Sequence, residues 1–223
     1  MFRTRNVVTA FRTVKDARHA PGPAVECLRR FQYVRLKLLH GAAATVTDDE
    51  RRRLLAIARE SLASLLEHRP AHDPGPLTGR LAEPGGAFVT LRTCGRLRGC
   101  IGYIDSPQPL ANVVAELARK SAREDPRFAP LSSNELPETA VEVSVISPLR
   151  PLVDASTIRP GIDGLLLELR GRRGLLLPQV ATEQGWDAAG LLAGTCQKAG
   201  LPAGAWKEPD AKIFTFTAEI CHE

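Results

Sequence analysis

Arg98 and Cys100 stand two apart in Leu97-Arg98-Gly99-Cys100-Ile101-Gly102, the stretch of this chain best suited to chemistry. In an extended strand successive side chains alternate faces. Arg98 and Cys100 would then share one face, with Leu97 and Ile101 on the other. A guanidinium beside a thiol favours the thiolate, which makes Cys100 a candidate nucleophile or redox thiol. The same guanidinium would grip a carboxylate or phosphate with two parallel hydrogen bonds, and Arg98 is the stronger binding candidate. Gly99 and Gly102 carry no side chain and leave room for close approach to the backbone. Two arguments weigh against thiol chemistry. No histidine stands at a spacing that marks an activating base, and free cysteine is among the most buried residue types. Cys100 is therefore read more readily as a packing residue. Arg98 has a structural alternative too, an ion pair with Asp125 or Glu142.

Asp125-Pro126-Arg127 follows a helical stretch and offers a second charged pair. Near the mouth of a site, Asp125 is a second candidate for catalysis and Arg127 for binding. The simpler reading has Asp125 accepting loop N–H groups, since Asp before Pro is a turn signal. Gln179 occupies the second half's counterpart of the Cys100 neighbourhood and would lend an amide to a shared cleft, or else bond to backbone.

Composition narrows the classes. No apolar run approaches the roughly 20 residues that cross a bilayer, so no membrane association is expected. The N-terminus lacks the apolar core of a secretory signal. The five cysteines, Cys27, Cys94, Cys100, Cys196 and Cys221, form no C-x-x-C pair, and the five histidines do not join them at ligand spacing. Neither a disulfide framework nor a metal site is indicated, no cofactor is expected, and a reducing cytoplasm is the expected location. The net charge of +5 is unevenly spread: residues 1–46 carry nine Lys/Arg against two Asp/Glu, and the remainder is slightly acidic. Nucleic acid is thus a weak partner for the main body, and only the basic N-terminus would attract it.

The elements that position these residues follow from pattern. Residues 1–46 read as a basic extension, flexible or partly helical over about 25–39. The domain spans 47–223. Thr47-Asp48-Asp49-Glu50 is a capping box, and the helix it opens carries Leu54, Ala58, Leu62, Leu65 and Leu66 on one face before ending near His68-Arg69-Pro70. A Pro/Gly-rich loop follows over 70–86. Residues 88–92 and 97–103 form a hairpin. Ser106-Pro107 starts a helix that buries Leu110, Val113, Val114 and Leu117 and stops at Asp125-Pro126. Residues 141–145 alternate as a strand. The plan then recurs: a glycine hairpin over 165–177, halted by Pro178, a helix capped by Asp187 and closed by Gly200 and Pro202, and a last strand over 213–220. The chain reads as a duplicated α+β unit.

Seven stretches carry a resemblance to a known family: Gly86-Ala87-Phe88-Val89-Thr90-Leu91, Leu97-Arg98-Gly99-Cys100-Ile101-Gly102, Asp125-Pro126-Arg127-Phe128-Ala129-Pro130-Leu131, Val141-Glu142-Val143-Ser144-Val145, Leu176-Leu177-Pro178-Gln179-Val180, Gly185-Trp186-Asp187 and Lys198-Ala199-Gly200-Leu201. In order and spacing they resemble the AmmeMemoRadiSam system protein A family, the AMMECR domain, over 47–223. Ala129 departs mildly from the proline usual there. The resemblance implies an α+β fold of two β-β-β-α-α-β units sharing one curved, mainly antiparallel sheet, with an added N-terminal helix. It also implies association with a radical-SAM protein and a Memo-like protein. The reading favoured is an accessory, partner-binding protein. Its alternatives are an enzyme using a cleft around Arg98 and Cys100, and nucleic-acid binding through the N-terminus.

Overall fold

The structure, a computed structural model, describes residues 45–223 and the strand β1 (Val7–Thr9). The helical reading of 25–39 lies outside the described residues. In chain order the elements are β1, α1 (Asp48–Leu66), β2 (Ala87–Thr93), β3 (Arg96–Tyr103), α2 (Leu110–Arg123), β4 (Thr139–Ile146), β5 (Arg150–Pro151), β6 (Asp163–Leu169), β7 (Arg172–Leu176), α3 (Pro178–Gln184), α4 (Ala188–Lys198) and β8 (Lys212–His222).

Local chemistry accounts for most of these bounds. The Thr47 hydroxyl accepts from the Glu50 N–H at 3.3 Å and the Glu50 carboxylate accepts from the Thr47 N–H at 2.9 Å, so both halves of the capping box form at α1. Asp187 caps α4 by accepting from the Gly190 N–H at 2.7 Å. The start of α2 differs from the expectation at Ser106-Pro107. The Ser106 hydroxyl accepts from the Gln108 N–H at 3.2 Å, closing a local turn, and the helix begins four residues later at Leu110 with Pro109 in the capping position. Pro178 does more than halt a strand: it is the first residue of α3, where its missing N–H costs nothing.

The strands form one curled antiparallel sheet in the order β1-β3-β2-β4-β8-β6-β7, with β5 paired to β8. Without β1 and β5 the order is symmetrical about the β4–β8 junction. The halves, β3-β2-β4 and β7-β6-β8, repeat one arrangement of a hairpin whose first strand also pairs with the strand returning after the helices. Both hairpins turn on two residues with positive φ, Cys94-Gly95 and Arg170-Gly171, the geometry whose twist matches paired strands. The series β-β-β-α-α-β is complete in the second half, where β5 leads.

α1 and α2 cover one face of the first half and bury Leu54, Leu62, Val89, Leu91, Ile101, Leu117 and Val143. α4 lies on β7 and β6 in the corresponding place. A shared core fills the other face, where Phe88 and Cys100 of the first half meet Leu166, Leu175 and Phe216 of the second, under α3. The close helix–strand approach uses the same device twice. A Cβ at Gly99 would run into the Ser121 carbonyl of α2, and one at Gly174 into the Thr195 carbonyl of α4. The Ser121 hydroxyl uses that proximity, donating to Val89 O at 2.8 Å and accepting from Ile101 N at 3.0 Å. Gly99→Ala therefore forces α2 off the sheet, with an expected stability loss of about 2–3 kcal/mol. Urea unfolding measures it, and a loss below about 0.5 kcal/mol, the ordinary range for an unconstrained surface site, would refute the close-approach account.

Candidate functional site

β3 holds one residue more than its partner requires. Leu91 lies opposite Gly99 and Arg92 opposite Leu97, which leaves Arg98 as the extra residue of a β-bulge. A bulge resets the alternation of side chains. Leu97 packs into the core that holds Cys100, while Ile101 packs under α1 and α2. This corrects the expectation that Arg98 and Cys100 share a face. The Arg98 side chain instead turns toward the segment 129–135 beside α2. There its Nε donates to Glu135 Oε1 at 2.7 Å and its Nη2 to Oε2 at 3.1 Å. Nη1 donates to Ala129 O at 2.8 Å and Nη2 to Pro130 O at 3.2 Å. All three nitrogens are thus engaged, and the partner is Glu135 rather than Asp125 or Glu142. The Arg98 bonds, with the Ser132 N–H and hydroxyl, overcome partial burial and hold the Glu135 carboxyl down from an ordinary 4.5 to about 2.

Asp125 is buried and fully subscribed. Its Oδ2 accepts from the Cys100 backbone N–H at 2.8 Å and from Arg127 Nη2 at 2.6 Å. Its Oδ1 accepts from the Arg127 N–H at 3.1 Å and Nε at 2.9 Å. Burial pushes the carboxyl up, but the Arg127 and Cys100 hydrogen bonds outweigh it and leave it below its ordinary value. The two carboxylates thus clamp the 125–135 connection to β3 from both ends, Asp125 through the main chain and Glu135 through Arg98. Gly102 lies flat against the Phe88 ring.

The Cys100 thiol is wholly buried, and the Thr90 hydroxyl donates to its sulfur at 3.2 Å. Burial, opposed by that hydrogen bond and by the Arg127 charge, pushes it up to about 11. At neutral pH it is a protonated thiol in a packed site, the opposite of an activated one. Among the described residues no group of three His, Cys, Asp or Glu side chains is placed to hold a metal ion.

Superposing the halves by strand register exposes an asymmetry. Cys100 pairs with Thr90, and Thr90 with Glu142; in the second half the same row reads Leu175, Leu166 and Phe214. Next along, Ser144 opposite Phe88 corresponds to Phe216 opposite Gly164. Four positions that are leucine or phenylalanine in one unit are thus cysteine, threonine, glutamate and serine in the other. The register also corrects the placing of Gln179: the counterpart of Cys100 is Leu175, and Gln179 stands in the first turn of α3. From there it reaches the polar row, its Nε2 at 3.5 Å from both Glu142 Oε1 and Ser144 Oγ, while its buried Oε1 has no hydrogen-bond partner among the described residues. A buried amide oxygen left open costs free energy that a packing role does not repay. The row Cys100-Thr90-Glu142-Ser144, covered by Gln179 and half open at Glu142, is the candidate site. Asp125 and Arg127 border it through Cys100, and Arg98 stands on the other side of the sheet. Thr90, Ser144 and Glu135 carried no functional signal in isolation. Glu135 was readable as the fourth residue of a Ser-x-x-Glu capping box, which it forms with Ser132.

The AMMECR1 family model matches residues 55–221. The chain belongs to the AMMECR1 family. A protein of Methanothermobacter thermautotrophicus is 44% identical over 187 residues, covering 81% of this chain and 97% of the relative. Protein MK0488 of Methanopyrus kandleri is 39% identical, covering 80% of this chain and 90% of its own. The crystal structure of the uncharacterized protein PH0010 from Pyrococcus horikoshii superposes with a TM-score of 0.73 at 38% identity, covering 78% of this chain and 92% of that one. The AMMECR1 match takes in both units, so the asymmetry described above lies entirely inside the family domain.

Two outcomes are expected here. A double-mutant cycle on Arg98→Ala and Glu135→Ala gives about 1 kcal/mol of coupling at pH 7, modest because Glu135 is about one-third exposed. The folded carboxyl titrates below the unfolded one. The coupling is therefore complete above pH 4.5 and disappears as the pH falls through about 2. Urea titrations across that range measure it, and pH-independent coupling contradicts the assignment. For Cys100, native iodoacetamide labelling at pH 8 modifies exposed Cys94 and spares Cys100 until urea opens the fold. Mass spectrometry of tryptic peptides distinguishes the two.

Proposed function

We propose that this AMMECR1-domain protein is an accessory, partner-binding component rather than a free-standing enzyme, and that it presents the polar row of the first unit to its partner. The observation that carries the reading is the asymmetry between the units. Folding alone is served by the Leu-Leu-Phe row of the second half, yet the first half carries Cys100, Thr90 and Glu142 in those places, with the Gln179 carbonyl above them unpaired among the described residues. The 125–135 segment beside this row is held without slack. Asp125 fixes the Cys100 main chain and Arg127, and Arg98 fixes Ala129, Pro130 and Glu135. A segment held this firmly arrives at a partner already ordered, so less entropy is lost on binding. In this reading Arg98, Gly99, Gly102 and Asp125 are positioning residues. Arg127, Glu142 and Gln179 make the contact, and Cys100 fills the space beneath them.

The partners proposed are those implied by the resemblance to AmmeMemoRadiSam system protein A, a radical-SAM protein and a Memo-like protein. Supporting this is the lack, among the described residues, of a base or metal set that would let Cys100 act alone. The test is calorimetric titration of the full chain with each purified protein from the same organism, alongside Glu142→Phe and Gln179→Leu. Glu142→Phe copies Phe214 of the second unit, and Gln179→Leu keeps the side-chain volume at the start of α3, and unchanged thermal unfolding of each is the check on folding. The expected result is micromolar binding to at least one protein, weakened tenfold or more in both variants. Absence of binding to either protein, or equal binding by the variants, overturns the proposal.

A further inference from the structure

The polar row continues one strand further than the comparison of the hairpins shows. Glu142 lies opposite His222 on β8, whereas its counterpart Phe214 lies opposite Pro151 on β5. Across four strands the row therefore reads Cys100-Thr90-Glu142-His222 in the first unit and Leu175-Leu166-Phe214-Pro151 in the second. Side chains directly opposite one another share a face. The polar face thus runs outward from buried Cys100 and Thr90, through half-buried Glu142, to exposed His222. Two side chains of α3 reach down to it. Gln179 stands over Glu142 and Ser144, and Glu183, one turn on, meets Arg92 at 3.4 Å.

The donors and acceptors of this face are not matched. Most donors are engaged within the protein. The Thr90 hydroxyl goes to the Cys100 sulfur at 3.2 Å and the Cys100 N–H to Asp125 at 2.8 Å. Arg127 gives Nε and Nη2 to Asp125 at 2.9 and 2.6 Å, and Arg92, two residues along β2 from Thr90, is paired with Glu183. The acceptors stay open. Among the described residues Glu142 has no ion pair, and the hydrogen bond it receives from Gln179 Nε2 is 3.5 Å long. Gln179 Oε1 is buried without a partner among the same residues. No hydrogen bond or ion pair joins Glu142 to His222 there, and no third ligand completes a metal site with them. The Asp125–Arg127 and Arg92–Glu183 pairs are each neutral, so the Glu142 carboxylate sets the charge of the face. Open acceptors around one uncompensated negative charge suit a cation rich in N–H groups and repel an anion.

We propose that this face docks a protein partner through an arginine side chain, whose guanidinium bridges the Glu142 carboxylate and the Gln179 carbonyl. The acceptor set selects the guanidinium. An ammonium offers three N–H groups from one point, whereas a guanidinium offers five in a plane, enough for both carboxylate oxygens and an amide oxygen at once. Its weak hydration suits a place half-buried beside Thr90 and Cys100. The inference rests on the partner-binding reading and names the group that the partner brings.

The ¹⁵N-labelled full chain is titrated with Nα-acetyl-arginine methylamide, with the lysine and citrulline analogues as comparisons. Binding is followed at the Gln179 side-chain amide, assigned by its loss in Gln179→Leu. Expected is saturable binding of the arginine compound in the millimolar range, at least threefold weaker binding of lysine, and no saturation by uncharged citrulline. Glu142→Gln keeps the shape and removes the charge, and is expected to weaken binding at least fivefold with the melting temperature retained. Asp105→Asn, at an exposed carboxylate off the row, leaves binding unchanged. Lysine binding as tight as arginine overturns the guanidinium assignment. Absence of saturation by arginine, or equal binding by Glu142→Gln, overturns the site. If the radical-SAM or Memo-like protein binds the full chain while arginine does not, the docking chemistry falls and the partner reading stands; the reverse result removes those partners and keeps the site.

Discussion

A single inserted residue decides which way Arg98 leaves the first hairpin. Between the turn glycine and the close-approach glycine the first hairpin has three intervening residues, Arg96, Leu97 and Arg98, and the second has two, Arg172 and Arg173. The extra residue makes the bulge, and the bulge sends Arg98 across the sheet to Glu135. Without it the strand would alternate as the second hairpin does. The guanidinium would then stand on the Cys100 face, as Arg173 does in the second hairpin beside Glu168, and would lose its bonds to Glu135, Ala129 and Pro130. The direction in which Arg98 leaves the strand secures the far end of the 125–135 connection, at Ala129, Pro130 and Glu135, while Asp125 secures the near end through the Cys100 N–H.

The glycine pair Gly99 and Gly174 shows the other side of the duplication. Both let a helix carbonyl settle onto a strand, and both are followed by a residue of the shared core, Cys100 or Leu175. The backbone solution is kept in both units while the side chains diverge. That divergence includes the row beneath Gln179 of α3, so the two halves share a frame and differ in what the frame displays.

Much of the frame was legible in the residues. The capping box at Thr47, the Asp187 cap, both glycine hairpins and the alternating strands each rest on local chemistry, which the chain expresses without help from the fold. The misplacements have separate causes. The face of Arg98 depends on a bulge, which needs the partner strand's register to detect. The start of α2 moved because Ser106 closes a turn instead of capping a helix. α3 was hidden because seven residues are too few to show a period, and Pro178 reads equally as a strand's end or a helix's first residue. The candidate site was legible only in part. Cys100 and Gln179 stood out by type, whereas Thr90, Glu142 and Ser144 look like ordinary strand residues until the second unit supplies the comparison.

The symmetrical strand order also leaves the sheet with two ends, which are handled differently. At one end β1 pairs with the β3 residues 101–103, and beyond its reach the Asp125 carboxylate takes up the Cys100 N–H. At the other end β7 is only five residues long and opens with Arg172 and Arg173, one bonded to Gly200 O and the other paired with Glu168. A short border strand that begins with two cations is a poor template for another molecule's strand. The hairpin that repeats the first unit's design therefore also closes that edge of the sheet to strand addition.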